Sequence, residues 1–315
     1  MIAKSLITVG LNPAIDCVVR CEGFLAGQVN TGRQVARIAA GKAANVTRAL
    51  ALLGEDVLAM GFMGDCEWSF FKEQLHKLRP GAVACHFSIL SQITRQNITV
   101  LDGGVETHIR LKGFEVKEND IVAIEKHFKE MLHAGDVVIF SGSLPQGLTA
   151  QRFGDLLDLT LALGAKVAVD TAGAALTVAL SKPIWIAKPN TEELAQAWGT
   201  GTLETVLDIK AAAEKRTCNV ENLVVSRGKL GAVLISGGNC YSGTVPAQQR
   251  VIRTVACGDH LLAGFVHGLW RGKDPMRALG QAVALATARA VSEDLEMFDS
   301  KKYSRLLEQV VVARV

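Results

Sequence analysis

The stretch DVVIFSGSLPQGLTAQRFGDLLDLTLALGAKVAVD, residues 136–170, decides the fold class. It begins and ends with a short apolar run, and a helical pattern, AQRFGDLLDLTLALG, lies between the two runs. An apolar run without polar alternation is typical of a strand that is buried on both faces. A strand, a helix and a second strand form a βαβ unit with parallel strands. The stretch therefore predicts a parallel sheet covered by helices.

The same alternation extends in both directions along the chain. Further predicted strands are SLITVGL, DVLAMGFMG, PIWIAKPN, NLVVSRG and AVLISG. Further predicted helices are GKAANVTRALALLG, WSFFKEQLHKL, IVAIEKHFKEMLHAG and ETVLDIKAAAEKR. After residue 258 the pattern is almost entirely helical and ends with YSRLLEQVVVARV. We therefore expect one α/β domain over residues 1–315.

Two regions interrupt the alternation. Residues 15–38 show period-two polarity without a long helix, and residues 86–112 look like hairpin strands that turn at Asp102-Gly103-Gly104. We expect these segments to form a small second sheet over one edge of the core. Such a sheet would be a lid or a dimer surface.

The composition excludes several classes of protein. The formal net charge of +3 is too small to indicate a nucleic-acid partner. No uncharged apolar stretch reaches the roughly 18 residues of a membrane span, and the start of the chain reads as a core strand rather than a signal peptide. The seven cysteines form no C-x-x-C pair, which favours a reducing cytoplasm over a disulfide framework or a zinc site. The chain also has no dinucleotide-binding, P-loop or nucleophile-elbow motif.

Polar motifs follow several predicted strands, at the sheet edge where open parallel sheets bind ligands. These motifs are NPAID (12–16), SGSLPQG (141–147), KPNTEEL (188–194) and SRG (226–228). Ser143 is either part of an ordinary turn or a donor to a substrate phosphate. Ser226 and Gly228 are candidates for a nucleotide phosphate path.

Two motifs combine features that suit an anionic or hydroxyl-rich ligand. AAGKAANVTRAL (39–50) places small residues and a lysine at a helix start, where N–H groups are exposed, and Asn45 lies one turn further on. The alternative is a helix start that packs tightly on a strand. Arg95 and Asn97 share one side of a predicted strand, and a guanidinium is well shaped to bind phosphate. Here the alternative is a solvated strand face.

The motif KPNTEEL places a lysine, an asparagine and two carboxylates directly after an apolar strand. Asn190 and Glu193 are three residues apart at a predicted helix start, so their side chains share a face. They are suited to hold the waters of Mg²⁺. They also form the pattern of a capping box, and the two interpretations are compatible.

The stretch TVACGDHLLAGFVHGLW, residues 254–270, joins small residues and an aspartate to the start of an apolar helix. The N–H groups of Ala256, Cys257 and Gly258 are placed to hold the charge of a transferring phosphoryl group. Asp259 would then take the proton of the acceptor hydroxyl. The alternative is that Asp259 only caps the helix.

Taken together, these motifs resemble the ribokinase-like (PfkB) family of sugar kinases. They occur in the family order over nearly the whole chain: GLNPAID, AGKAANVT, TRQNIT, SGSLPQG, KPNTEEL and TVACGDHLLAGF. The similarity is greatest to the branch of 1-phosphofructokinase and tagatose-6-phosphate kinase. It implies a ribokinase-like three-layer α/β sandwich with a mostly parallel central sheet and a small β-sheet lid.

The resemblance also implies roles for particular residues. Asp259 would be the catalytic base, with Ala256, Cys257 and Gly258 as the anion hole. Residues for the sugar hydroxyls would be Asp16, Gly41 and Asn45. The sugar phosphate would face Arg95 and Ser143, with Lys42 nearby and Asn97 beside Arg95. The ATP phosphates and Mg²⁺ would be served by Lys188, Asn190, Glu193, Ser226 and Gly228.

The resemblance implies phosphorylation of fructose 1-phosphate to fructose 1,6-bisphosphate by a homodimer that pairs through the lid. Alternatives are tagatose 6-phosphate or fructose 6-phosphate as substrate, or a weakly catalytic sugar-phosphate-binding homologue, and a monovalent cation is a further candidate cofactor. The weakly catalytic homologue is an alternative because Ala43, Ala256, Cys257 and His260 depart from the family motifs. Where the family has glycine, the methyl groups of Ala43 and Ala256 are expected to obstruct close backbone approach.

Overall fold

The computed structural model describes residues 4–216, 219–245, 250–252, 254–294 and 296–315. The strands within these ranges are β1 (Leu6–Gly10), β2 (Ala14–Arg20), β3 (Arg33–Ala40), β4 (Val57–Gly64), β5 (Val83–Leu90), β6 (Arg95–Asp102), β7 (Val105–Arg110), β8 (Val137–Ser141), β9 (Lys166–Asp170), β10 (Ile186–Ala187), β11 (Asn222–Ser226), β12 (Ala232–Ser236), β13 (Asn239–Thr244) and β14 (Val311–Arg314). The α-helices are α1 (Lys42–Leu52), α2 (Asp65–Leu78), α3 (Glu118–Met131), α4 (Ala150–Ala162), α5 (Gly173–Leu180), α6 (Thr191–Trp198), α7 (Val206–Glu214), α8 (Cys257–Trp270), α9 (Pro275–Ala290) and α10 (Ser300–Gln309).

The larger sheet has the strand order β14-β13-β12-β11-β10-β9-β8-β1-β4-β5. All neighbours from β11 to β5 in this order are parallel. The strands β12, β13 and β14 extend the sheet in antiparallel fashion. The predicted parallel sheet is therefore confirmed, and every strand predicted from an apolar run lies within it.

Helices cover both faces of the larger sheet because its buried strands direct alternate side chains to opposite sides. In β8, Val138 and Phe140 pack in the cluster that holds α3, α4, α5, α6 and α7, whereas Val137 and Ile139 pack in the cluster that holds α1, α8, α9 and α10. The helix α2 packs on α1 in a third cluster. The predicted three-layer α/β fold is confirmed.

The small sheet has the order β3-β2-β6-β7 and is separate from the larger sheet. Its second segment begins later than the sequence pattern suggests, because residues 86–90 belong to β5, at the edge of the larger sheet. Only β6 and β7 form the predicted hairpin, which turns between Asp102 and Val105. β2 joins the hairpin in parallel with β6. Residues of β2, β6 and β7 line one cleft together with residues that follow strands of the larger sheet, so the small sheet lies beside the ligand edge of the larger one.

The C-terminal end differs from the helical expectation. The helix α10 ends at Gln309, and β14 then pairs with β13 as the last strand of the larger sheet. Of the cysteines, Cys218 lies outside the described residues, and the six others form no disulfide with one another. In the described part of the chain, no helix combines the length and the apolar character needed to span a bilayer.

Candidate active site

A cleft of about 1730 Å³, measured with its open mouth, lies where the carboxyl ends of the parallel strands meet the small sheet. Most residues predicted for the site line this cleft: Asp16, Gly41, Lys42, Asn45, Arg95, Asn97, Ser143, Lys188, Asn190, Glu193, Ser226, Ala256, Gly258 and Asp259. Gly228 and Cys257 are not among the lining residues. Gly228 is exposed in the turn after β11, and Cys257 is the first residue of α8.

Asp259 is buried, with 5% of its surface exposed, at the third position of α8. Its Oδ2 accepts a hydrogen bond of 2.7 Å from Nδ2 of Asn45. Burial, followed by the charge of Asp170, raises the pKa of Asp259 to about 6, although Lys42 and Lys188 act in the opposite direction. A carboxyl group with this pKa is ionised at neutral pH and remains basic enough to accept a proton.

The first turn of α8 has no side-chain cap within the described residues. Its N-cap residue is Ala256, at φ 67° and ψ 3°, the only residue other than glycine with a positive φ in the described ranges. The first N–H groups of a helix lack partners inside the helix, so this end is suited to bind an anion. Because Asp259 bonds to Asn45, the structure does not show it as a cap.

Asp170 organises two lysines at the same end of the cleft. It is fully buried at the end of β9, with Nζ of Lys42 2.9 Å from its Oδ1 and Nζ of Lys188 3.1 Å from its Oδ2. Burial opposes the charge of Lys42, but the surrounding carboxylates outweigh it and raise the pKa of Lys42. A methyl group on Gly258 would stand 3.4 Å from Nζ of Lys188, so this ammonium group lies beside the start of α8.

The motif KPNTEEL forms the capping box that its spacing predicts. Oδ1 of Asn190 accepts the N–H of Glu193 at 2.7 Å, and Oε2 of Glu193 accepts the N–H of Asn190 at 2.8 Å. Both residues nevertheless line the cleft, and Ser226 bridges to Asn190 across the strand ends. Within the described residues no hydrogen bond engages Oε1 of Glu193, so this oxygen is available to a ligand.

The small sheet contributes polar side chains to the other end of the cleft. Asp16 on β2 and Asn97 on β6 are cross-strand neighbours, and Nδ2 of Asn97 donates to Oδ1 of Asp16 at 2.7 Å. Nε of Arg95 donates to the carbonyl groups of Asn12 and Pro13. Burial lowers the pKa of Arg95 from its usual value, and the guanidinium stays charged because that value is so high.

Two loops close the space between these ends. Gly41 precedes α1 at φ 105°, and a Cβ there would lie 3.3 Å from Cα of Pro13, so the position favours glycine. Ser143 follows β8, and its Oγ accepts a hydrogen bond of 3.1 Å from Nδ2 of Asn12. Asn12 thus ties the end of β1 to the end of β8.

Three residues of this region were missed by the sequence analysis. Asp170 ends the predicted strand AKVAVD, and its position after an apolar run was the available signal. Arg110 lines the cleft because the hairpin pairs it with Asn97, a register that follows from a turn at residues 102–105. Asn12 stands in the quoted motif NPAID, but its contact with Ser143 depends on the tertiary fold.

The departures from the family motifs lie mostly behind the cleft wall. The buried Ala43 lies against Gly10 of β1 and is not among the residues that line the cleft. Burial raises the pKa of the Cys257 thiol to about 11, which keeps the group protonated. His260 is buried on the core side of α8. Of the four, only Ala256 lines the cleft.

The profile described as "pfkB family carbohydrate kinase" matches residues 3–295 of this chain. The chain therefore belongs to the pfkB family of carbohydrate kinases, which are phosphotransferases, and the resemblance of its motifs is confirmed.

Relatives within the family have named activities. The chain is similar to a tagatose-6-phosphate kinase of Staphylococcus epidermidis, with 28% identity across 98% of this chain and 100% of the relative. It is also similar to a 1-phosphofructokinase of Vibrio cholerae, with 30% identity across 98% of this chain and 97% of the relative. Both relatives match the chain over nearly their whole length.

Solved structures confirm the fold. Phosphofructokinase-2 of Escherichia coli in complex with fructose-6-phosphate superposes with a TM-score of 0.85 at 22% identity, over 97% of this chain and 99% of that one. Other structures of the same enzyme contain potassium or show a tetrameric inhibited form. At this identity the likeness establishes the ribokinase-like architecture.

Proposed function

We propose that this chain, as a single kinase domain, transfers the γ-phosphoryl group of ATP to a free primary hydroxyl of a ketohexose phosphate. The preferred acceptor is fructose 1-phosphate, and the product is fructose 1,6-bisphosphate. The observation that carries the proposal is the buried Asp259 beside the uncapped start of α8. The names of the relatives and of the solved complex make tagatose 6-phosphate and fructose 6-phosphate the competing acceptors.

In the proposed reaction the acceptor oxygen attacks the γ-phosphorus while the bond from that phosphorus to the β–γ bridging oxygen breaks. ADP leaves, and the hydroxyl proton moves to the carboxylate of Asp259. The hydrogen bond from Asn45 orients this carboxylate. The pKa of about 6 supports the role, because a base near the working pH is both ionised and able to take the proton.

Positive groups around Asp259 would stabilise the charge on the transferred group. The N–H groups of Ala256, Cys257 and Gly258 form the helix end, and the ammonium groups of Lys188 and Lys42 lie close by. Phosphoryl transfer relies mainly on such positioning and electrostatic stabilisation.

The nucleotide end of the cleft fits Mg²⁺. In the described residues no group of three or more His, Cys, Asp or Glu side chains is placed to hold a metal, and Mg²⁺ commonly binds through one or two carboxylates, water and substrate phosphates. Asn190 and the available Oε1 of Glu193 would hold its water shell, and Lys188 and Ser226 would line the nucleotide phosphates. When bound, the metal would neutralise charge on the β- and γ-phosphates.

The small-sheet end of the cleft fits a sugar phosphate. Arg95, Arg110 and Ser143 offer donors for the phosphate group, while Asp16 and Asn97 suit the sugar hydroxyls. Two arginines at one end of a cleft favour an acceptor that already carries a phosphate. A free sugar would offer these two guanidinium groups no anion to bind.

The decisive experiment measures ADP release with fructose 1-phosphate, fructose 6-phosphate and tagatose 6-phosphate, for the wild type and Asp259→Asn. We expect the wild type to favour fructose 1-phosphate, and the variant to lose about 10²–10⁴-fold in kcat. Asp158→Asn is the control, because Asp158 is half exposed in an ion pair with Lys182 outside the cleft. An Asp259→Asn enzyme that keeps most of its kcat would refute the base. Wild-type turnover below about 1 s⁻¹ with all three sugars would instead favour a binding protein.

Arg95→Ala tests the phosphate end. We expect KM for the sugar phosphate to rise by about tenfold or more, since a charged hydrogen bond to phosphate is lost. KM for ATP should stay unchanged, because Arg95 lies on β6 at the opposite end of the cleft from Asn190. An unchanged KM for the sugar phosphate would indicate a free-sugar or nucleoside kinase of the same fold.

We also propose a cytoplasmic homodimer that pairs through the small sheet. β7 is an edge strand of the small sheet and every one of its residues is exposed, with the apolar Val105 and Ile109 on one face, so it is open to pairing with a second chain. Sedimentation of the wild type and Ile109→Asp tests this pairing, and a wild-type monomer or an unaffected oligomer would contradict it.

Comparing rates in potassium and in tetramethylammonium salts tests for a monovalent cation.

A further inference from the structure

His260 follows the proposed base directly and is almost completely buried, at 1% exposure. Its ring packs edge-on against Phe298, with centroids 5.9 Å apart and an interplanar angle of 86°. Its Nδ1 lies 2.8 Å from the carbonyl oxygen of Ala256. A carbonyl oxygen only accepts hydrogen bonds, so Nδ1 carries the ring proton.

The other ring nitrogen indicates that His260 acts as a neutral donor. Within the described residues Nε2 is buried without a hydrogen-bond partner, which fits a lone pair in an apolar setting rather than a second proton. Burial lowers the pKa of His260 to about 4, and the charges of Arg289 and Arg48 act in the same direction. The ring is therefore the neutral tautomer with its proton on Nδ1 at neutral pH.

The contact falls on the most unusual backbone position among the described residues. Ala256 has a left-handed conformation that alanine rarely adopts, because its Cβ approaches the following carbonyl group. Its carbonyl oxygen accepts two hydrogen bonds, from the N–H of His260 at 3.0 Å and from Nδ1 at 2.8 Å. One residue therefore holds this carbonyl group from two directions.

We propose that His260 is a positioning residue that holds Ala256 in its left-handed conformation and so aims the first N–H groups of α8 at the transferred phosphoryl group. This inference rests on the proposed function, because it assigns the start of α8 to the anion. His260 itself is not among the residues that line the cleft, so the proposed role is exerted through Ala256.

The proposal makes the importance of His260 depend on the residue at position 256. Glycine adopts the left-handed conformation without steric conflict, so Ala256→Gly removes the strain that His260 offsets. The two residues should be coupled in a double-mutant cycle, whereas a histidine that merely fills the core behind α8 should not respond to this change.

The experiment compares His260→Leu and His260→Asn in two backgrounds, the wild type and Ala256→Gly. The amide nitrogen of asparagine lies near the place of Nδ1, so His260→Asn keeps a donor, whereas leucine has none. In the wild-type background we expect His260→Leu to lower kcat about tenfold with KM nearly unchanged, since a mispositioned anion hole affects mainly the transition state. His260→Asn should recover most of that loss. In the Ala256→Gly background His260→Leu should change kcat by less than about twofold.

Equal losses from His260→Leu in both backgrounds would overturn the proposal. If Ala256→Gly is itself inactive, unfolding free energies of the wild type, the two single variants and the double variant give the coupling, and additive values would have the same consequence. Nitrogen-15 NMR of the wild-type ring gives a test independent of activity. Protonation of Nδ1 is expected, and protonation of Nε2 would overturn the proposal. The proposed function is tested separately, by the wild-type turnover and by Asp259→Asn and Arg95→Ala, so a failure of the function and a failure of this proposal are distinguishable.

Discussion

The helices α6 and α8 begin at the same cleft and carry an acidic residue at the same third position, yet their first turns differ. At α6, Asn190 and Glu193 exchange hydrogen bonds with each other's backbone and close the helix end. At α8, Ala256 has no side chain that could cap, and Asp259 turns to Asn45 instead. The first turn of α6 is therefore closed by side chains of its own residues, whereas the N-cap residue of α8 makes no side-chain cap within the described ranges.

The two helix starts differ in what they contribute: the start of α6 stabilises the fold, whereas the start of α8 is arranged for the proposed reaction. A capping box stabilises a helix end by roughly 1 kcal/mol. Leaving α8 uncapped forgoes that stabilisation, and the left-handed Ala256 and the buried carboxylate of Asp259 add further destabilisation. We infer that α6 anchors the nucleotide end of the cleft, while α8 is held by its neighbours in a geometry that suits the reaction.

The largest expected effect is on the unfolding free energy of the protein, through the acidic residue of α8, Asp259. The pKa of Asp259 is raised from 3.8 to about 6, so its ionised form is less stable in the folded protein than in the unfolded chain. This destabilisation is absent below about pH 4, grows as pH rises, and is complete above about pH 6. We expect Asp259→Asn to raise the unfolding free energy at pH 8 by about 3 kcal/mol. The gain should shrink towards pH 4, as followed by urea titrations.

The matched control for that measurement is Asp170→Asn. This carboxylate is equally buried but is paired with Lys42 and Lys188, so its removal should destabilise the protein at pH 8. If both variants shift stability in the same direction, the proposed contrast between the two carboxylates is wrong.

The pH dependence of the rate should show a somewhat smaller effect. If Asp259 is the proposed base and acts in its unprotonated form, kcat/KM should fall about tenfold per pH unit below pH 6 from this group alone. The phosphate of the substrate also titrates near pH 6. The residual kcat/KM of Asp259→Asn should therefore depend on pH only through the substrate phosphate. In a plot of log kcat/KM against pH, the acidic slope of the variant should be one unit lower than that of the wild type. Identical slopes would assign the titration to the substrate.

The sequence pattern identifies most of the cleft because parallel strands bring their carboxyl ends to one edge. Asp16, Ser143 and Lys188 are found in this way, and the capping box at Asn190 follows from spacing alone. Pairing between distant segments is not encoded locally. Residues 86–90 alternate like lid strands but join the edge of the larger sheet.

The backbone conformation at the start of α8 also cannot be predicted from the local sequence pattern. An alanine by itself carries no signal for a left-handed φ, and only the glycine at this place in the family motif points to the conformation that Ala256 adopts. Likewise, the salt bridge between Asp170 and Lys42 joins residues more than a hundred positions apart, and only the folded sheet brings them together.

The smallest effect tests whether α6 serves only stability. Asn190→Ala and Thr205→Ala remove equivalent caps, since Thr205 and Asp208 form the same box at α7, outside the cleft. Both variants should lose about 1 kcal/mol of unfolding free energy. Only Asn190→Ala should also raise the Mg²⁺ concentration needed for half-maximal rate, by about tenfold, if its amide holds the metal's water shell.

If the two variants have the same kinetics, Asn190 is a cap alone, and the metal must be held by Glu193 and the substrate phosphates. If Asn190→Ala instead weakens Mg²⁺ binding but leaves the unfolding free energy unchanged, the side chain of Asn190 serves the metal and does not stabilise α6. The N–H group of Glu193 would then have another partner in the variant.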